Sequence, residues 1–304
     1  VQSQATTGTA PELKRERQDG REIVHVFPVD RADKFTPEGM SGCTGEVWLN
    51  TEPEVSRENA PKEGSVCLVL GAGNQSFLAF GDVLYQLFVE GSVCLLKHHP
   101  LRDFSARYFN EIFADLIDAG FFAACQVDLE KTHALLHSPL VDRVHMTGGT
   151  KTHDTIVWGN SPELQQQNKA AGTPVLNKPM SSELGCVTPW IVMPGTEWMD
   201  KEIGHMAGHL VAAFVAQNSC NCLSPKLVVL DTDWPQCDQF IEAVRVRLRN
   251  TPTLPPHYPG AADRYRGFAG AYPVAQLEMI SSPRHKGMSD HDLGPSLPWL
   301  LVHL

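Results

Sequence analysis

The chain has 304 residues, 42% of them hydrophobic, and a formal net charge of −10 with histidine counted as neutral. This length and apolar fraction exclude global disorder and are enough for one large domain or two ordinary ones. The acidic balance argues against nucleic acid as the main partner, because phosphate binding relies on Lys and Arg. The sequence contains no apolar run of about 18 residues, so we expect neither a membrane span nor a membrane partner.

Residues 1–62 are rich in Pro, Gly and charged residues, and we expect them to form an extended N-terminal arm. From Ser65 onward, short apolar runs alternate with helical patterns. The strand-like runs are SVCLVL, SVCLLK, FFAACQV and VDRVHMTGG, and the helix-like runs are FGDVLYQLFVEG, SARYFNEIFADLIDAG, EKTHALLHS and TKTHDTIVWG. This alternation predicts an α/β fold: a Rossmann-like parallel sheet with helices on both faces, over residues 63–185.

The remaining residues continue the alternation less regularly. The polar stretch NSPELQQQNKAAGTP is predicted to be a loop. After it, CVTPWIVMPG and KLVVLD are strand-like, and DKEIGHMAGHLVAAFVAQ and CDQFIEAVRVRLRN are helix-like. The residues after 250 are rich in Pro and Gly and show little pattern. We therefore predict part of a second α/β domain over residues 186–304.

The eight cysteines are dispersed along the chain without a C-x-x-C pair. Most lie in apolar runs, which predicts reduced, buried thiols and a reducing, cytoplasmic compartment. His205 and His209 stand four residues apart in HMAGH, a spacing that occurs in zinc sites. Because the Glu of H-E-x-x-H and an obvious third ligand are missing, we predict a pair on one helix face and no metal site.

Five short motifs follow one another along the chain. Asn74 comes after a strand in LGAGNQS, Lys97 closes the next strand in CLLKHHP, and glycines end a third in HMTGGT. Glu183 stands in SSELGCVTP, and Cys222 stands in QNSCNCLSPK between a helix-like and a strand-like run. In order and spacing these motifs resemble the aldehyde dehydrogenase superfamily over residues 64–250. The interval from Asn74 to Lys97 matches the family without a gap.

The resemblance implies that a small-molecule aldehyde is oxidised to a carboxylic acid with NAD or NADP as cofactor. Cys222 would be the catalytic nucleophile that attacks the aldehyde carbon. Asn74 and the backbone N–H of the cysteine would hold the oxyanion. Glu183 would activate the water that hydrolyses the thioester. The second domain would then be part of the catalytic domain of this family.

The resemblance also implies a cofactor site. Lys97 would hydrogen-bond the adenosine ribose, and the turn formed by Gly148, Gly149 and Thr150 would approach the dinucleotide. Each motif residue also has a plainer interpretation. Asn74 is a common turn former, Lys97 a strand-end residue that reaches solvent, and Glu183 a surface carboxylate.

Two cysteines compete for the role of nucleophile. Ser219 lies three residues before Cys222, where the family has a small residue, whereas Gln217 lies three before Cys220. Spacing therefore favours Cys222, while a purely structural role for both thiols stays open.

The sequence also departs from the family pattern. Pro100 stands where many NAD-dependent members have Glu, which leaves NADP open, and His153 replaces a second glycine of the cofactor turn. Cys186 replaces the last glycine of E-L-G-G, where we expect it to fill space. The stretch YPGAADRYRGF resembles one in a bacterial-type branch of the superfamily.

The chain ends well before the length usual for this family, so we expect a truncated or divergent member. Two other functions stay open: an acyl-CoA reductase of the same fold, and a non-catalytic nucleotide-binding or scaffold relative. A homo-oligomer is compatible with each of them.

Overall fold

A computed structural model describes residues 12–49, 64–253, 255–256, 258–281 and 296–304. The chain separates into two compact units, Val1–Glu63 and Gly64–Leu304.

The described part of the first unit, where we predicted an extended arm, forms a three-stranded antiparallel sheet in the order β1-β2-β3. Asp19 and Gly20 join the first two strands, and both have positive φ, as the favoured two-residue hairpin turn requires. The elements are β1 (Arg15–Gln18), β2 (Arg21–Phe27), α1 (Pro37–Met40) and β3 (Gly45–Leu49).

The second unit contains a five-stranded sheet in the order β6-β5-β4-β7-β8, in which every pair is parallel. The Rossmann-like sheet predicted from the alternation of strands and helices is confirmed. Its elements, in chain order, are β4 (Ser65–Leu70), α2 (Leu78–Phe88), β5 (Ser92–Lys97), α3 (Ala106–Ile112), α4 (Ala114–Asp118), β6 (Phe122–Cys125), α5 (Leu129–His137), β7 (Arg143–Gly148), α6 (Thr150–Trp158), α7 (Pro162–Ala171) and β8 (Met180–Leu184).

The central strand β4 is buried on both faces. Cys67 and Val69 pack with side chains of α2 and α3 on one face, and Leu68 and Leu70 pack with side chains of α5 and β7 on the other. Fully burying a side chain of leucine size contributes about 1.5–3 kcal/mol. Helices that cover both faces explain why the strand has an unbroken apolar sequence instead of an alternating one.

Helix α7 forms in the polar stretch that we predicted as a loop. Its first turn is capped by Ser161, whose hydroxyl accepts a hydrogen bond from the Leu164 N–H at 3.2 Å, and Pro162 occupies the first turn. Gly172 ends the helix in the left-handed conformation. The helix has no buried residue, so it lacks the apolar stripe by which helices are recognised in sequences.

The remaining elements surround a separate apolar core. On α8, Ile203, Ala207 and Leu210 recur at helical spacing and pack against Phe240 and Leu248 of α9. This core is distinct from those of the five-stranded sheet, and the division of the second unit near residue 185 stays a prediction. Strands β9 and β10 pair in parallel, and β11 and β12 pair antiparallel. The elements are β9 (Pro189–Ile191), α8 (Asp200–Val215), β10 (Leu227–Val229), α9 (Cys237–Asn250), α10 (Ala261–Gly270), β11 (Leu277–Ile280) and β12 (Trp299–Val302).

Candidate active site

The carboxyl ends of the five parallel strands lie at one edge of the sheet. Strands β5 and β6 lie on one side of β4, and the later strands β7 and β8 lie on its other side. The strand order therefore reverses at β4. In open α/β sheets, ligands bind at this edge beside such a reversal. Asn74 follows β4, Lys97 ends β5 and Gly148 ends β7, so the sheet brings the predicted residues to the edge where a ligand would bind.

Arg102 holds the loop after β4. It lies in a 3-10 helix over Pro100–Ser105. Its Nε donates to the Gly73 carbonyl at 2.9 Å, and its Nη2 donates to the Asn74 carbonyl at 2.6 Å. The planar guanidinium donates in a fixed fork, so these two bonds fix the backbone from which the Asn74 side chain extends.

Gly73 allows two aromatic side chains to approach the same loop closely. A Cβ atom at this position would lie 2.6 Å from the Tyr258 hydroxyl and 2.7 Å from Nδ1 and Cε1 of His99. The rings of His99 and Tyr258 meet edge to face, with centroids 5.9 Å apart. No sequence motif points to Arg102, and Tyr258 is the first residue of YPGAADRYRGF, the stretch with a family likeness.

Asn74 links the sheet edge to the segment between α8 and β10, residues 216–226, which contains Cys220 and Cys222 and is called the connector below. Its Nδ2 donates a hydrogen bond to the carbonyl oxygen of Cys220 at 3.1 Å. A carboxamide carries two N–H donors, so this bond uses only one of them. The structure therefore brings the predicted oxyanion donor to the segment that contains the predicted nucleophile.

The connector has an unusual backbone. Gln217, Asn218 and Ser219 adopt successive left-handed conformations, with φ values of 51°, 55° and 62°. Each such non-glycine residue costs on the order of 1–3 kcal/mol, and strain of this kind clusters at functional sites. The Ser219 hydroxyl donates to the Phe214 carbonyl at 2.6 Å and ties the strained segment to the end of α8.

The two cysteines of the connector differ in exposure. Cys222 is exposed and Cys220 is half-buried. Burial raises the pKa of the Cys220 thiol, and Lys226 and Arg264 oppose that shift. The backbone N–H of Cys222 donates to no residue that the structure describes. It is therefore free to act as the second oxyanion donor, although the choice between the two thiols stays a prediction.

Glu183 lies on the edge strand β8, opposite Thr147 of β7, and is exposed. Within the described residues no hydrogen bond joins it to Asn74 or Cys222. Three residues further on, the Cys186 thiol lies 3.1 Å from the carbonyl oxygen of Cys222. The segment that contains Glu183 thus reaches the connector, while the role of its carboxylate stays a prediction.

The residues predicted to bind a dinucleotide end two strands of the sheet. Lys97 is half-buried at the end of β5, and its ammonium forms no hydrogen bond or ion pair with a described residue. Burial lowers the pKa of Lys97, and Asp103 and Cys125 oppose that shift.

The other predicted cofactor residues follow β7. Gly148 ends the strand, Gly149 is the N-cap of α6 and Thr150 is its first residue. A Cβ atom on Gly149 would meet no atom within 4 Å, so there is open space beside this glycine. The N-terminus of a helix attracts anions such as the pyrophosphate of a dinucleotide.

His205 and His209 are exposed on α8, and the His209 ring meets Trp190 edge to face at 5.1 Å. In the parts of the chain that the structure describes, no group of three or more His, Cys, Asp or Glu side chains could hold a metal ion. Within the same parts, no helix is long and apolar enough to cross a membrane.

Comparisons with known proteins show the fold. The sequence matches no protein-family model and no curated protein. It does match solved structures, three of which have identities of 10–15% to this chain. One is assigned as an aldehyde dehydrogenase from Burkholderia cenocepacia, with a TM-score of 0.61 and 15% identity over 95% of this chain and 52% of that one.

Two further structures are similar. One is 3,6-anhydro-L-galactose dehydrogenase, with a TM-score of 0.59, 10% identity and coverage of 95% of this chain and 52% of that one. The other is succinic semialdehyde dehydrogenase from Streptococcus pyogenes, solved in complex with NADP+. Its TM-score is 0.55, with 14% identity and coverage of 95% of this chain and 54% of that one.

The chain therefore has the fold of the aldehyde dehydrogenases, as the sequence resemblance predicted, and spans about half the length of these structures.

Proposed function

We propose that the chain takes part in the NAD(P)-dependent oxidation of a small aldehyde to a carboxylic acid, with Cys222 as nucleophile. The observation that carries this proposal is the hydrogen bond from the Asn74 carboxamide to the Cys220 carbonyl. It brings an amide donor at the edge of a nucleotide-binding type of sheet next to a strained, cysteine-containing connector. An aldehyde-oxidising thiol needs this combination of a nucleophile and a fixed oxyanion donor.

The chemistry would begin with attack of the Cys222 thiolate on the aldehyde carbon, which forms a thiohemiacetal. The second N–H of the Asn74 carboxamide and the backbone N–H of Cys222 would donate to the oxygen that becomes negative. Loss of hydride would convert this adduct to a thioester. Glu183 would then accept a proton from the water that hydrolyses the thioester and releases the acid.

The chain's own residues fit a dinucleotide. Lys97 offers a half-buried side chain at the end of β5, and Gly149, with open space beside it, is the N-cap of α6. The Lys97 ammonium can donate a hydrogen bond to a ribose hydroxyl, and the N-terminus of α6 can bind a pyrophosphate. When bound, NAD or NADP supplies the acceptor for the hydride. One similar structure, the streptococcal enzyme, was solved with NADP+.

Binding and turnover should be measured separately. We expect NAD or NADP to raise the melting temperature of the purified chain. We also expect formation of NADH or NADPH, read by absorbance, when an aldehyde is added. Cys222→Ser should lose turnover and keep dinucleotide binding, because the thiol takes part in the chemistry and not in the cofactor site. Cys43→Ser, an exposed cysteine of the first unit, is the matched control and should change neither measurement.

The other outcomes separate the competing functions. Oxidation of NADH or NADPH by an acyl-CoA, without aldehyde oxidation, would show the reductase instead. Dinucleotide binding without any turnover would show a nucleotide-binding module. A melting temperature that neither dinucleotide changes would contradict the proposal.

A further inference from the structure

The thiol of one exposed cysteine, Cys186, contacts the backbone of another, Cys222, which lies in the connector. The Cys186 thiol lies 3.1 Å from the carbonyl oxygen of Cys222 and 2.8 Å from the Thr188 hydroxyl. The Thr188 hydroxyl lies 3.2 Å from the same carbonyl. The Cys186 sulfur is thus directed at the backbone of Cys222, and both residues are exposed. This arrangement differs from the space-filling role expected for Cys186.

Strand pairing fixes the two segments against each other. The Lys226 N–H donates to the Val187 carbonyl at 2.8 Å, immediately before β9 and β10 pair in parallel with Leu227 opposite Pro189. Thr188 adopts a left-handed conformation, with φ of 48°. The segment after Cys186 therefore cannot move away from the connector without breaking this short sheet.

Lys226 brings a positive charge to the same place. Its ammonium donates to the Ser224 carbonyl at 2.8 Å. Burial lowers the pKa of Lys226, and its interactions with Cys220, Cys186 and Cys222 oppose that shift. Cysteines that react with oxidants are exposed and stand near a cation, often beside a second thiol. Cys186 and Cys222 are both exposed and both interact with the charge of Lys226, and the Cys186 thiol contacts the Cys222 backbone, whereas Cys220 is half-buried.

We propose that Cys186 and Cys222 form a reversible disulfide when the chain encounters hydrogen peroxide. The Cys222 sulfur attacks one peroxide oxygen, the O–O bond breaks, and Cys222 becomes a sulfenic acid while the first water leaves. The Cys186 sulfur then attacks the Cys222 sulfur, the S–S bond forms, and the S–O bond breaks to release the second water. Two thiols lose two electrons and two protons in total, and one peroxide is reduced to two waters.

The disulfide would protect Cys222. Further oxidation of a sulfenic acid gives sulfinic and sulfonic acids, which are in general not reversed, whereas a disulfide is restored by thiols. Cys186 would then act as a resolving thiol. The modification does not depend on the proposed oxidation of aldehydes, since it requires only the two thiols and the peroxide.

The test uses the full chain treated with hydrogen peroxide at neutral pH. Free thiols are then alkylated, and the chain is digested without reduction and analysed by mass spectrometry. We expect a peptide pair joined through Cys186 and Cys222 that disappears after dithiothreitol. In Cys186→Ser this pair should be absent, and the Cys222 peptide should accumulate as sulfinic and sulfonic acid.

Two controls keep the result interpretable. Cys43→Ser removes an exposed cysteine of the first unit and should leave the joined peptides unchanged. The melting temperature of Cys186→Ser should match that of the wild type, and Cys186→Ala provides a second variant if it does not. The proposal would be overturned by equal irreversible oxidation of Cys222 with and without Cys186. A disulfide from Cys222 to Cys220, or one between two chains, would overturn it as well.

Discussion

The carboxamide of Asn74 donates a hydrogen bond to the carbonyl oxygen of Cys220 at 3.1 Å, across 146 residues of sequence. The bond joins the loop after the central strand to a connector in which three successive residues are left-handed. One N–H of the carboxamide and the N–H of Cys222 donate to no residue that the structure describes. This bond brings the predicted oxyanion donor to the connector that contains the predicted nucleophile, Cys222.

Replacement of Asn74 by Ala should remove one oxyanion donor and lower kcat for aldehyde oxidation by about 10²–10³-fold. The lost hydrogen bond to Cys220 should also lower the free energy of unfolding by about 0.5–1.5 kcal/mol. Steady-state kinetics and urea unfolding measure the two effects separately. Asn110→Ala, at an exposed position of α3, is the control: it should leave kcat unchanged and slightly raise the free energy of unfolding through helix propensity. Unchanged kcat in Asn74→Ala would exclude the oxyanion role.

Alkylation by iodoacetamide at neutral pH should label Cys222 before Cys220. Cys222 is exposed, whereas Cys220 is half-buried and burial raises its pKa, so it has less reactive thiolate. Peptide mass spectrometry over a time course measures both rates, and NAD or NADP should alter the rate at Cys222. Faster labelling of Cys220 would indicate that Cys220, and not Cys222, is the reactive thiol.

Replacement of Lys97 by Ala should weaken dinucleotide binding by about 1.5–3 kcal/mol, which is the contribution of a hydrogen bond to a charged group. The ammonium has no hydrogen bond or ion pair to a described residue, so the variant breaks no such contact. Isothermal titration calorimetry with NAD and with NADP measures the change. Lys201→Ala, on the exposed face of α8, should bind as the wild type does. An unchanged affinity in Lys97→Ala would place the cofactor elsewhere.

The pH dependence of stability should also report on Lys97. Burial lowers its pKa in the folded chain below the ordinary value of 10.5, so the unfolded chain binds more protons. The free energy of unfolding of the wild type therefore rises with pH as the folded group deprotonates. Lys97→Met lacks this group and should be more stable than the wild type at neutral pH, by a margin that shrinks towards pH 10.5. Urea unfolding across this range tests the prediction, and a constant margin would contradict it.

Replacement of Gly73 by Ala should lower the free energy of unfolding by about 1–3 kcal/mol, because the new methyl group overlaps two side chains. The nearest atoms would be the Tyr258 hydroxyl at 2.6 Å and the His99 ring at 2.7 Å. Gly267→Ala is a matched control in the interior of α10, where a Cβ atom would meet nothing within 4 Å. It should stabilise the chain by about 0.5–1 kcal/mol through helix propensity. Similar effects of both substitutions would show that the loop after β4 is not tightly packed.

The sequence alone determined the parallel sheet and most of its helices. An unbroken apolar run such as SVCLVL indicates a strand that is buried on both faces. A periodic pattern such as that of α8 indicates a helix that is buried on one face. These signals are local, because each element carries its own pattern. For the same reason α7 was missed, since a helix without a buried face has no apolar period to detect. The order of motifs likewise singled out Asn74, Lys97 and Cys222 as site residues through the family resemblance.

Only the tertiary structure decided which loops meet. That Asn74 reaches Cys220 depends on the position of β4 at the centre of the sheet. That Cys186 reaches Cys222 depends on the pairing of β9 with β10. Tyr258 lies over Gly73 although its own stretch of sequence has no period. Such contacts join residues far apart in the chain, and they are set by strand order and by the closure of loops, which no local pattern of side chains records.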